Sequence, residues 1–266
     1  MKQITDTLSS LVLKAGEIML KAHDIESGDH MSEKAGDAAN LVTVYDVAVQ
    51  NFLITEITKA IPEAYFIAEE KENDADVLNR KYCFVIDPID GTANFTHDYK
   101  HSCISLALFS YGEVVFAAVY DPYQKELFTA RKGEGAFVNG RPIHTANRDT
   151  AHSIVSFGTS PYYKDTLGEK SFRLCYKLFR TCSDIRRCGA AALDLAYLAA
   201  GRNDVFFEAL LSPWDIAAGY LLITEAGGIM TDMNGNKIDF SAPSPVFAAT
   251  PAVYDELIGI VKEIMQ

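Results

Sequence analysis

The densest concentration of chemistry-bearing residues in the chain is the segment Asp87-Pro88-Ile89-Asp90-Gly91-Thr92. An apolar, strand-like run over 82–86 delivers it. Pro88 fixes φ and Gly91 accepts a sharp reversal, so the spacing predicts a turn. Two carboxylates three residues apart across such a turn can converge, with the carbonyl of Ile89 between them. Hard cations such as Mg2+ take oxygen ligands of this kind. Backbone N–H groups after Gly91 are in a position to face a phosphate oxygen. Taken alone, the same residues fit an Asp-Gly turn with capping aspartates equally well.

Further acids stand at predicted element ends. Glu69-Glu70 closes the apolar run 64–68, Asp215 follows Ser212-Pro213-Trp214 at a helix start, and Asp46 follows Thr43 early in another helix. Each has a plain structural explanation. Glu69-Glu70 fits a solvated loop start, Asp215 a first-turn acid favoured by the helix dipole, and Asp46 a solvent-facing helix residue. Separated acids at element ends are also what a multi-metal carboxylate site requires. The Asp-x-x-Asp spacing differs from the Asp-x-Asp nucleophile motif of the haloacid-dehalogenase phosphatases, which is therefore not met.

The elements that must position these residues follow from periodicity. Apolar residues at helical spacing predict helices over 3–25 and 43–60, with an exposed polar loop over 27–40 between them. Strand-like runs at 103–109, 114–120 and 126–130, separated by turn residues, predict an antiparallel meander. Asn139-Gly140 is a hairpin signal. Beyond residue 150 the pattern alternates: strands at 153–157, 184–187, 205–207, 228–231 and 245–249, helices at 166–179, 190–200, 214–226 and 252–264. That is an α/β signature after an α+β first part. A boundary near 145–152 divides the chain into subdomains 1–148 and 149–266 of one compact unit.

Bulk properties exclude some functions. The net charge of −12, with no dense Lys/Arg run, argues against a nucleic-acid partner. The odd set of five cysteines, without Cys-x-x-Cys, fits a reduced cytoplasmic protein. No apolar segment approaches the roughly 18 residues that span a bilayer. The first residues lack the basic and continuous apolar regions of a signal peptide.

Together, Glu69-Glu70, Asp87-Pro88-Ile89-Asp90-Gly91-Thr92-Ala93-Asn94-Phe95, and Trp214-Asp215-Ile216-Ala217-Ala218-Gly219 followed by Glu225-Ala226-Gly227-Gly228 resemble the inositol monophosphatase family. Phe137-Val138-Asn139-Gly140-Arg141-Pro142-Ile143 adds to the resemblance, which runs from the first helix to the last. It implies a layered αβαβα sandwich of the sugar phosphatase type, assembled as a homodimer. It implies a lithium-sensitive phosphatase using two or three Mg2+ ions and metal-activated water, with no phosphoenzyme. Metal ligation would fall to Glu69, Asp87, Asp90, Asp215 and the carbonyl of Ile89. Thr92 would contact the nucleophilic water, with Asp46 orienting it. Gly91 and Thr92 would hold the phosphate, and Gly189, Ala191 and Glu208 would line the pocket of a phosphorylated polyol or sugar, beside Asp215. The sequence departs from the family pattern at Gln50, where many members carry Glu, and at Cys188 and Ala190 around Gly189.

Rival readings remain open at this point. Fructose-1,6-bisphosphatase belongs to the same superfamily. A 3′-phosphoadenosine-5′-phosphate phosphatase is disfavoured, because Gly91-Thr92-Ala93-Asn94-Phe95 lacks the charge pattern of the nucleotide enzymes. Histidinol phosphatase has related motifs. A catalytically silent binding or regulatory protein is the non-enzyme alternative.

Overall fold

In the computed structural model, which describes residues 2–22, 31–33 and 41–265, the first helical pattern becomes α1 (Lys2–Leu20). It buries Leu8, Leu11, Val12, Ala15 and Met19 along one stripe. The predicted extension over 23–25 lies outside the described residues. So does most of the loop predicted over 27–40; its residues 31–33 instead form β1 (Met31–Glu33), paired antiparallel with β2 (Leu41–Thr43). Thr43 caps α2 (Val44–Ala60).

The large sheet follows: β3 (Tyr65–Ala68), β4 (Cys83–Asp90), then, after the short helix α3 (Thr92–Thr96), β5 (Cys103–Ser110), β6 (Glu113–Asp121), β7 (Glu126–Arg131), β8 (Gly135–Val138) and β9 (Arg141–Ile143). Its strands lie in chain order, parallel between β3 and β4 and antiparallel thereafter. Asn139 and Gly140 both take positive φ, 48° and 75°, as a tight two-residue hairpin demands.

The remaining elements are β10 (Ile154–Phe157), α4 (Lys164–Thr181), β11 (Asp184–Arg186), α5 (Ala191–Ala199), β12 (Val205–Leu211), α6 (Pro213–Glu225), β13 (Ile229–Thr231), β14 (Ser244–Ala249) and α7 (Pro251–Met265). They build a sheet of order β11-β10-β12-β14-β13.

Strand alternation assigns the layers. On β4, Phe84 and Ile86 pack with α1 and α2, while Cys83 and Val85 face α5 and α6. On β12, Phe206 joins that central layer, while Val205 and Phe207 pack against α4 and α7. The result is an αβαβα sandwich: α1 and α2, the large sheet, α5 and α6, the smaller sheet, α4 and α7.

Two expectations need correction. The segment 87–90 is not a turn. Pairing with β5 shifts register between Asp87 and Asp90 and resumes at Asp90 opposite Cys103, so a bulged strand carries both acids and the reversal begins at Gly91. The strand predicted over 205–207 runs on to Leu211, because it pairs with β14 past Glu208.

Candidate active site

One carboxylate oxygen from each of Asp87, Asp90 and Asp215 lies within 4.8 Å of the other two. They reach this point from separate layers. Asp87 and Asp90 ride the bulged end of β4, and Asp215 stands in the first turn of α6, where its Oδ2 accepts the Ser212 N–H at 2.7 Å. Asp87 Oδ1 accepts the Ile89 N–H at 3.0 Å. Asp90 binds the start of α5 with both oxygens, accepting Ala191 N–H at 3.2 Å and Ala192 N–H at 2.8 Å. Glu69, just after β3, lines the same cleft of about 370 Å3; Glu70 does not.

Electrostatics fit this cluster to a cation. Burial pushes the Asp87 carboxyl well above its ordinary range, and Glu69, Asp90, Asp215 and Asp46 add repulsion of the same sign. Burial pushes Asp90 up to about 7 against the opposing pull of the α5 amides. Asp215 is raised by burial, then by Asp90 and Glu69. Carboxylates held this close in a dry pocket resist ionisation unless positive charge enters among them. An all-oxygen donor set suits Mg2+.

Beside the acids, Gly91 adopts φ 85° and ψ 43°. A Cβ there would come within 3.1 Å of the Ala190 Cβ and of the Gly189 and His101 carbonyls, so the reversal admits only glycine. Thr92 opens α3. Its hydroxyl faces the Ile89 carbonyl at 3.1 Å and Asp46 Oδ1 at 3.4 Å, one proton between two acceptors. Asp46 is fully buried behind Thr92 and does not line the cleft. Its Oδ2 accepts the Thr43 N–H at 2.7 Å and the Thr43 hydroxyl. Burial raises its carboxyl to about 7, against those hydrogen bonds.

Gly189, Ala191 and Glu208 line the same cleft. Glu208 Oε1 accepts the Ser160 N–H at 2.8 Å, and burial raises its carboxyl to about 7. A Cβ on Gly158 would lie 1.8 Å from Glu208 Oε2, so glycine at 158 makes room for the carboxylate.

Sequence reasoning overlooked several residues. Ser160, Tyr162 and Tyr163 reach the cleft from the loop after β10, and Arg187 and Asp194 add to its wall. No local pattern marks them; a Gly-Thr-Ser-Pro loop after a strand is the one hint. The departure at Gln50 also gains a reason. Its amide donates to the Glu70 carbonyl at 3.0 Å and accepts the Glu70 N–H at 2.9 Å. An ionised Glu only accepts, so it makes one of these bonds and not the other.

A family model described as "Inositol monophosphatase family" matches residues 1–266. The chain is 37% identical over 251 residues to "Nus factor SuhB" of Escherichia coli strain K12, covering 94% of this chain and 92% of that one. It superposes on the crystal structure of the extragenic suppressor protein suhB of Bartonella henselae with TM-score 0.88 and 31% identity, covering 98% and 99% of the two chains. A structure titled IMPase/NADP phosphatase, complexed with Mg2+ and phosphate, matches with TM-score 0.85 and 26% identity over 97% of this chain and 95% of that one.

Proposed function

The chain belongs to the inositol monophosphatase family, and from that premise we propose that it is a Mg2+-dependent phosphatase of small phosphate monoesters, with an inositol monophosphate as the first candidate substrate. The observation that carries this reading is the meeting of Asp87, Asp90 and Asp215 within 4.8 Å at the floor of a cleft. The Mg2+ and phosphate named with the similar IMPase/NADP phosphatase structure support it.

In this reading Glu69, Asp87, Asp90, Asp215 and the Ile89 carbonyl hold the Mg2+ ions, two or three of them. When bound there, the ions supply a water of lowered pKa and positive charge for the leaving ester oxygen. The chain does the rest. The amides of Gly91 and Thr92 hold the phosphate. The Thr92 hydroxyl orients the attacking water, and Asp46 steadies Thr92 from behind. Glu208 accepts a hydrogen bond from a hydroxyl of the leaving group, which favours a polyol or sugar phosphate. In this reading no side chain acts as nucleophile, and no phosphoenzyme forms. The reading includes a cytoplasmic homodimer that lithium inhibits; among the described residues no helix is long and apolar enough to cross a membrane.

The test is phosphate release from a panel comprising myo-inositol 1-phosphate, fructose 1,6-bisphosphate, 2′-AMP and 3′-phosphoadenosine 5′-phosphate, each with and without Mg2+. Mg2+-dependent turnover led by the inositol ester is the expected outcome. A lead by another ester reassigns the substrate and leaves the reaction class standing.

A second reading rests on the name "Nus factor" of the Escherichia coli relative, which points to a transcription-related role. It makes the fold a binding surface that needs no hydrolysis. Silence across the whole panel, from a folded chain that still binds Mg2+, would favour it.

A further inference from the structure

At the cleft wall, three potential ligand groups meet that the phosphatase reading leaves unused, with Asp194 belonging to the wall itself. His101 precedes β5, Cys188 lies between β11 and α5, and Asp194 stands in the first turn of α5. One ligand atom from each lies within 4.8 Å of the other two. The His101 Nε2 atom is buried and has no hydrogen-bond partner. The Cys188 thiol donates to the Asp194 carboxylate, which is 2% exposed. Asn94 Nδ2 ties the two loops together, donating to the His101 carbonyl at 2.7 Å and the Cys188 carbonyl at 2.8 Å.

We propose that His101, Cys188 and Asp194 form a second metal site, for a thiophilic divalent cation of the Zn2+ class. Ligand atoms around a tetrahedral Zn2+ stand about 3.3–3.8 Å apart, given bonds of 2.0–2.3 Å, so the three groups need close by little. Thiolate with imidazole selects Zn2+ or Co2+, while Mg2+ prefers the all-oxygen cluster around Asp87. Burial lowers the His101 pKa, which keeps the imidazole neutral with a lone pair to give. On binding, the Cys188 thiol proton leaves to solvent and the sulfur becomes a thiolate. A proton on Asp194, raised in pKa by burial, leaves with it. The metal takes both places, and its fourth position is left for water. One imidazole nitrogen of His101 becomes a ligand.

The test is a Co2+ titration of the full-length, Mg2+-loaded protein under a non-thiol reductant, read by thiolate-to-cobalt charge-transfer absorption. Oxygen ligands alone give no such band, so the result is independent of the phosphatase reading. One equivalent of Co2+ should raise the band, and Zn2+ should abolish it. Cys188→Ser should remove it, and His101→Ala should weaken Co2+ binding about tenfold or more. Cys103→Ser should leave it, although the Cys103 sulfur sits 3.6 Å from Asp90 Oδ2. The proposal is overturned if the wild-type protein shows no band at saturating Co2+. It also fails if the band survives Cys188→Ser, depends on Cys103, or is indifferent to His101→Ala.

Discussion

Asp90 serves two partners at once. Both of its oxygens hold amides at the start of α5, and the same carboxylate faces Asp87 and Asp215. In Asp90→Asn one oxygen becomes an NH2, which cannot accept from Ala191 or Ala192. A buried donor left without an acceptor costs about 1–3 kcal/mol. The variant should therefore fold with lowered stability, and Mg2+-dependent turnover should drop roughly 100-fold or more, as when one positioned transition-state group is removed. Thermal unfolding and kcat on the same preparation check both; near-normal turnover would refute the site assignment. Glu208→Gln is a gentler probe. It keeps an acceptor for Ser160 but loses the charge, so KM for inositol monophosphate should rise several-fold while kinetics on phenyl phosphate hold steady. An equal change for both esters would remove the hydroxyl-recognition role. At this scale much was legible. Ser212-Pro213-Trp214-Asp215 announces a helix start in any context. Gln50 was legible only as a departure, because its partner Glu70 lies 20 residues away on another element.

Between elements, the crossing of α5 and α6 decides how closely the central layer packs. A Cβ on Gly219 would stand 2.5 Å from Leu195 Cδ1 and 2.7 Å from its Cβ. Gly219→Val should thus force the helices apart and lower stability by about 1–3 kcal/mol. Both helices present their N-termini to the cleft, so the same variant should also reduce turnover. Urea unfolding beside kcat is the measurement, and an unchanged midpoint would contradict the packing argument. The run of small residues Ala217, Ala218 and Gly219 is the sequence's own sign of this close packing. Helix and strand periods likewise placed the other long helices and the meander to within a few residues, but not the short α3. What escaped was the bulged end of β4. Pro88 and Gly91 look like turn residues, and only the pairing of Asp90 with Cys103 across the sheet reveals strand. The extension of β12 past Glu208 depends in the same way on β14, a partner far along the chain.

The whole molecule gathers buried acid where its two sheets and the N-termini of α5 and α6 meet. Alternating patterns declared strands and helices, but which face of each sheet meets which helix pair is a property of the assembled layers, and the family resemblance supplied it before the structure did. That assembly has a thermodynamic consequence. Asp90 rises from 3.8 to about 7, Asp46 likewise, and Glu208 from 4.5 to about 7, each mainly by burial. Asp87 and Asp215 are raised as well. Between the unfolded and folded values the native state binds more protons than the unfolded chain, so stability falls as pH rises. Without metal, the contribution of Asp90, Asp46 and Glu208 should be fully present below about pH 4 and be lost as pH rises from there to about 7. A divalent cation that binds only the folded, ionised cluster reverses the trend, since its stabilisation grows with affinity, and affinity grows as the carboxylates lose protons. Melting curves in EDTA and in saturating Mg2+, taken from pH 5 to about 8, should therefore diverge, with Tm in EDTA falling and the Mg2+ increment widening. A constant increment across that range would mean that Mg2+ binds somewhere other than among Asp87, Asp90 and Asp215.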